Sequence, residues 1–408
     1  MLLPGILTAD DWLQWRGPDY ANAFTGEGYP TRFSTTENVL WKTDLPGRAG
    51  SSPIFWNNRI YLTSPGNGKN LALCVDLDGA ILWQTAVGDE VPGKHKKASG
   101  ANPSPVSDGK QLFVYYKSGD LAALNPEGKI AWHINVQKKF GDDTLWWDLG
   151  TSPVLSKDHL IITAMQAKPS PSYIAAINKE DGSVAWKVLR EFDRPKENDQ
   201  SYTTPVIVNH DGKEILIVWG ADHVTAHDLS RNGEEIWRCG GFNADGKGFK
   251  RTISSPIPVG DMIIVPYDRG NALAGVKLGG KGDVTETHRA WDIEPSSDVP
   301  TPATHDGLVY ILGDKGLLSC IDPGSGNILW SEQLPKKAAT YSASPVIADG
   351  RIYCAREDGA VMVAKAGKDF ELLATNMLEG ENCYSTPLMV DGRIYIRTLN
   401  SLYCIGSK

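Results

Sequence analysis

"DPGSGNILW" (322–330) admits two readings. Gly324 and Gly326 begin a G-x-G pattern of the kind that cradles phosphate, yet the same residues also spell a tight turn between two strands. A phosphate loop needs its backbone N–H groups gathered at a helix N-terminus. Here the residues after the second glycine are strand-like, and the phrase recurs. "DLDGAILW" (76–83), "NPEGKIAW" (125–132), "NKEDGSVAW" (178–186) and "DLSRNGEEIW" (228–237) occupy the same slot. The stretch therefore reads as a hairpin turn, in which Gly supplies a positive φ and Asp or Asn caps the turn. A second decoy, "GFNADGKG" (241–248), has the G-x-x-x-x-G-K spacing but puts Gly248 where magnesium needs Ser or Thr, and no helix follows.

Working outward, each turn belongs to a larger unit that opens with Ser or Thr before Pro. The pairs are Ser52-Pro53, Ser104-Pro105, Ser152-Pro153, Thr204-Pro205, Ser255-Pro256, Thr301-Pro302, Ser344-Pro345 and Thr386-Pro387. They cover 334 residues in seven intervals, a mean of about 48, which is a propeller or solenoid period. Each unit holds four short β-branched and aromatic strands, the composition of one antiparallel propeller blade. The expected fold is all-β, an eight-bladed propeller. The chain ends after a third strand, "SLYCIG", while "NVLWKTDLP" (38–46) is a fourth strand with no first three. Pairing the two would complete the eighth blade and remove an exposed edge. The expected division is an extension over 1–37 that packs on a single propeller over 38–408.

Trp41, Trp83, Trp132, Trp186, Trp237, Trp291 and Trp330 stand near the start of fourth strands, with Leu373 as the expected eighth equivalent. Rings in register are packing wedges between blades. Cys74, Cys320 and Cys404 share the third-strand slot held elsewhere by Ala123, Ala176 and Ala226, so the six cysteines read as packing residues and not as a disulfide or metal framework. His223 and His227 lie on a strand, where their spacing keeps them roughly 13 Å apart, too far for one metal.

With 41 basic and 49 acidic residues the net charge is -8, which argues against nucleic acid or an anionic membrane as partner. No apolar run approaches the ~20 residues of a membrane span. "GKHKK" (93–97) reads as a solvated loop, with an anion contact as the alternative. "MLLPGILTADDW" is briefly apolar but has no basic n-region, so no export signal is visible.

The "L-x-A-x-D/N … G-x-x-x-W" phrase resembles the pyrroloquinoline quinone (PQQ) repeat of quinoprotein-like propellers. "WLQWRGP", "NVLWKTDLPGRAGSSPI", "GGKGDVTETHRAW" and "IRTLNSLYCIG" are similar to segments of the PQQ-binding-like propellers of planctomycetes and related bacteria. The resemblance covers nearly the whole chain and implies a bacterial, exported, periplasmic protein. It leaves two activities open. One is a non-catalytic, monomeric scaffold for a protein or small ligand, as in BamB-type assembly lipoproteins. The other is a PQQ-dependent, alcohol dehydrogenase-like oxidoreductase holding PQQ with calcium in the central funnel. The chain has no adjacent cysteines, no haem-attachment motif and no position matching the dehydrogenases' calcium ligands or base, so the reading leans to the non-enzyme. A carbohydrate-active enzyme is a third reading, which would need a carboxylate pair brought together from different blades.

Propeller ligands enter where the connections before each Ser/Thr-Pro gather. Those segments carry Arg48, Asn102, Trp146, Trp147, Asp148, Tyr202, Lys250, Arg251, Asp298, Tyr341 and Tyr384, and the turns on the same face add Arg356 and Arg397. Convergent charged and aromatic side chains suit a small anionic or sugar-like ligand. "TLWWDLG" (144–150) admits two readings, a stacking platform for a ring-shaped ligand or a lid on the neighbouring blade; for a planar ligand the expected contacts are Trp146 or Trp147, with Lys250 and Arg251 as cations.

Overall fold

A computed structural model describes residues 11–407; the apolar start of the chain lies largely outside the described residues. The strands form eight sheets. Blades 1 to 7 span 54–89, 106–135, 154–189, 206–239, 257–293, 303–333 and 346–377. Blade 8 combines 388–405 with the N-terminal strand Val39–Asp44, which pairs antiparallel to Ser401–Ile405 and sets Trp41 opposite Cys404. The ring is closed by this pairing of the two ends. No helix among the described residues is long and apolar enough to cross a membrane.

Within a blade the second and third strands are buried on both faces, whereas the fourth alternates. Leu112–Tyr115 and Asp120–Leu124 are buried throughout, but Ile328–Gln333 is mostly exposed. This is why the middle strands read as unbroken apolar runs: a sheet packed between two neighbours has no solvent face. Ile257, Ile264 and Leu273 of blade 5, for example, pack with Val309, Ile311 and Ile321 of blade 6.

The tryptophans lock successive blades through the turn glycines. Trp83 donates its indole N–H to Pro126 O of the next blade's turn (3.0 Å), Trp132 to Lys179 O, Trp291 to Pro323 O and Trp330 to Gly367 O. The rings of Trp83, Trp132 and Trp291 lie over the glycine of that turn. A Cβ on Gly128 would come within 2.5 Å of Trp83, and one on Gly326 within 2.8 Å of Trp291. The glycine of "DPGSGNILW" thus serves the positive φ of its own hairpin, +76°, and also seats the preceding blade's indole.

The strand register corrects one expectation. Trp132 faces Ala123 and Trp330 faces Cys320, each next to a bulge. In blade 7 the equivalent residue is Ala374, facing Val363, while Leu373 occupies the bulge. Where the large ring is missing, the facing slot is enlarged from Ala or Cys to Val, a trade that keeps the core filled.

Residues 12–24 run through the lower channel along the inner strands. Trp12 bridges Phe55 of blade 1, Leu13 O accepts from Ser107 N of blade 2, and Arg16 Nη1 donates to Pro256 O at the head of blade 5. Ala21 O accepts from Thr304 N, and Ala23–Phe24 adds a parallel strand to blade 7.

Candidate functional site

Proline after each Ser/Thr holds that residue extended and leaves one fewer N–H facing the channel. The Ser/Thr N–H still needs an acceptor, because the innermost strand of a blade has no further strand to pair with. The neighbouring blade's hydroxyl supplies it. Ser52 N donates to Ser104 Oγ, Ser104 N to Ser152 Oγ, Ser152 N to Thr204 Oγ1 and Thr204 N to Ser255 Oγ. Ser255 N donates to Thr301 Oγ1, Thr301 N to Ser344 Oγ, Ser344 N to Thr386 Oγ1, and Thr386 N back to Ser52 Oγ. The eight bonds, 2.9–3.3 Å long, make a closed ring about the axis.

This ring girdles a funnel of about 550 Å³, within the ~300–1,000 Å³ of small-molecule sites. Trp15 lies at its base and donates its indole N–H to Thr386 Oγ1 at 3.2 Å. Arg16 stacks on Trp15, its guanidinium carbon 4.5 Å from the ring centre. The N-terminal segment therefore gives the axial channel a floor, and the funnel opens towards the connections.

Of the expected site residues, Asn102, Trp147, Asp148, Tyr202, Arg251 and Tyr384 line this funnel. The others do not. Arg397 is wholly buried and holds Ser51 O and Thr63 O; Arg356 is tied to Asp358 and Pro335 O; Tyr341 is buried beside Met362. Lys250 pairs with Asp268, Asp298 lies behind Arg251, and Arg48 is exposed outside the lining. Trp146 sits on the outer rim, 6.3 Å from Phe249. Among the other lining residues, Ser342, Ile253, Val299 and the hydroxyl ring carried no ligand expectation, and His95 and Lys97 carried only the alternative of an anion contact. The ring had a readable signal, a hydroxyl at all eight blade entrances; His95 and Lys97 did not.

Residues 93–97 keep Lys94, His95 and Lys96 exposed, as a solvated loop would, but the loop is also fixed in place. They form a strap over the funnel mouth, with His95 and Lys97 in its wall. Asp148 anchors one end by accepting from Lys94 N (2.8 Å), His95 N (2.9 Å) and Lys117 Nζ (2.6 Å). The other end reaches blade 7, where Lys97 Nζ meets Glu357 at 2.7 Å. Of the connection's cations, Lys97 is thus paired with a carboxylate from blade 7, while the Lys94 ammonium donates to Leu145 O.

The remaining wall charge is also paired. Arg251 lies 3.5 Å from Glu197 and 3.4 Å from Asp298. Burial pushes the Asp298 carboxyl up, with Arg251 opposing. Behind it, burial and the Asp298 charge raise Asp314 to about 6, although Asp314 accepts two backbone N–H groups, those of Asp298 and Val299. Trp147 is fixed by its indole N–H on Glu197 (2.8 Å) and its backbone N–H on the Tyr202 hydroxyl.

These residues do not fit PQQ with calcium. The cofactor is a planar quinone tricarboxylate and calcium takes several carboxylate or carbonyl oxygens. The lining carboxylate Asp148 is saturated by Lys117 and the strap, and among the described residues no group of three or more His, Cys, Asp or Glu is placed to hold a metal. The six cysteines are all buried and free.

Fold and funnel together define the class: an eight-bladed propeller with an axial cavity floored by its own N-terminal segment. The PQQ_2 family profile, described as outer membrane protein assembly factor BamB, matches residues 23–168, 68–239 and 280–373, and the chain belongs to this family. It is 23% identical over 325 residues to outer membrane protein assembly factor BamB of Yersinia pestis, covering 77% of this chain and 75% of that one. With the Escherichia coli (strain K12) protein of the same name it shares 25% over 293 residues, 69% of this chain and 66% of that one. Among solved structures, BamB from Moraxella catarrhalis aligns with TM-score 0.59 at 16% identity, over 85% of this chain and 96% of that one. A europium-containing methanol dehydrogenase aligns with TM-score 0.71 at 12% identity, over 97% and 98%. At these identities the structures share the fold alone.

Proposed function

We propose that this protein is an exported, non-catalytic propeller scaffold that docks another protein on the face around the funnel mouth. The observation that carries the reading is an aromatic patch on that face. Trp146, Trp147 and Phe249 are 46%, 45% and 48% exposed, on the connections between blades 2 and 3 and between blades 4 and 5, and Lys196 of the intervening connection lies 4.4 Å over the Phe249 ring. Exposed aromatic residues beside cations are the composition of protein-binding centres. The family's description as an assembly factor supports the same reading, as does a funnel whose charged side chains are committed to one another. The quinoprotein alternative gains nothing specific from this site.

The test is a photo-crosslinking residue placed at Trp146 in cells of the source bacterium, with Leu329 on the outer strand of blade 6 as control. The expected result is one defined adduct from position 146 that is absent from position 329 and lost in the Phe249→Ser background. Equal labelling from both positions would overturn the docking surface.

A further inference from the structure

We infer that the funnel is a second site, for a neutral carbohydrate, sharing only Trp147 with the docking patch. Three observations converge on this chemistry. First, every hydroxyl of the axial ring accepts a neighbour's N–H, and among the described residues none of the eight O–H protons has a protein acceptor. An O–H whose oxygen already accepts is polarised to donate, so the ring offers a girdle of donors to a ligand rich in acceptor oxygens. Second, the funnel pairs that polar girdle with apolar and aromatic wall, Trp15 at the base and Trp147 at the mouth with Ile253 and Val299 between. A sugar ring has the matching duality, C–H faces for the aromatic walls and hydroxyls at its rim.

Third, charge selects against an acid. Lys97, Lys117 and Arg251 are each already opposed by a carboxylate, Glu357, Asp148 and Asp298 respectively. An anionic ligand would have to break one of these pairs and leave a half-buried carboxylate uncompensated, which is costly. A neutral polyol uses the hydroxyls, Asn102 and the outward edges of the pairs without disturbing them. The volume, about 550 Å³, admits a mono- or disaccharide.

The experiment is isothermal titration of the full chain with glucose, N-acetylglucosamine, cellobiose and chitobiose, and with glucuronate as the charged counterpart. The expected result is saturable binding of at least one neutral sugar and weaker or no binding of glucuronate. Trp147→Ala, a half-exposed position that leaves the core intact, is expected to weaken binding by about tenfold, the loss of one stacking contact. A Trp146→Ala control, outside the lining, should not. Failure of every neutral sugar to bind at millimolar concentration, tighter binding of glucuronate, or insensitivity to Trp147→Ala would each overturn the inference. None of these outcomes bears on the outer docking patch, which the crosslink at Trp146 tests by itself.

Discussion

At Gly128 a side chain would meet the Trp83 ring at 2.5 Å, whereas at Gly68, with a similar positive φ, it would meet nothing within 4 Å. Gly68→Ala is therefore expected to cost about 1 kcal/mol, the left-handed backbone penalty alone. Gly128→Ala should cost clearly more, because the indole must also leave its seat; equal denaturation midpoints would refute the interlock. The repeated D/N…G…W phrase made the turn legible in sequence, but not this second role, since the indole comes from the preceding blade. His227 offers a test in pH. Its ring is held by Gly233 O (3.0 Å) and Thr225 Oγ1 (2.9 Å), and burial, followed by the Arg190 charge, pushes it down to about 3. The unfolded chain takes up this proton near its ordinary pKa of about 6.5 while the folded one does not. The stability is thus complete above about pH 6.5 and is lost as pH falls towards the folded value, by up to about 1.4 kcal/mol per pH unit. Urea melts across this window should show at least that slope, since burial also pushes His223 down to about 4, and His227→Asn should reduce it; an unchanged slope would contradict the assignment.

Among the elements, the hydroxyl ring and the strap carry the site. Ser152→Ala removes the acceptor of the buried Ser104 N–H, an orphaned donor that should cost about 1–3 kcal/mol. Ser152→Thr keeps the hydroxyl and should cost less, so equal losses would show that the bond is not what matters. At the strap's anchor, the side chains of Lys117 and Asp148 are 4% and 3% exposed. Removing one partner of a buried pair leaves the other uncompensated, so Lys117→Ala should destabilise by about 3–5 kcal/mol. It should also expose the 93–97 strap to limited proteolysis; protection equal to the unmutated protein would refute the anchor. The strands were legible because Pro, Gly and alternating apolar runs punctuate them. The strap was not: "GKHKK" looks like solvent-facing sequence, and its carboxylate partners, Asp148 and Glu357, lie 54 and 260 residues away. The ring was half legible, since the same Ser/Thr-Pro pairs that counted the blades also supply its hydroxyls.

For the molecule as a whole, eight copies and two incomplete ends were enough to give the architecture and its closure, which the pairing of Val39–Asp44 with Ser401–Ile405 realises. The floor of the channel was not readable, because "WLQWRGP" has no period of its own and its contacts fall on inner strands spread along the chain. That floor converts an axial channel into a one-ended funnel, and the ion pairs around it explain why a quinoprotein-like fold need not host quinoprotein chemistry. By the chemistry of its lining, this funnel is not built for PQQ with calcium. The direct test is tryptophan fluorescence titration with PQQ, with and without calcium, on a chain holding 13 Trp. No saturable, calcium-dependent change is expected. Saturable calcium-dependent quenching that weakens in Trp147→Ala would contradict it and restore the oxidoreductase reading.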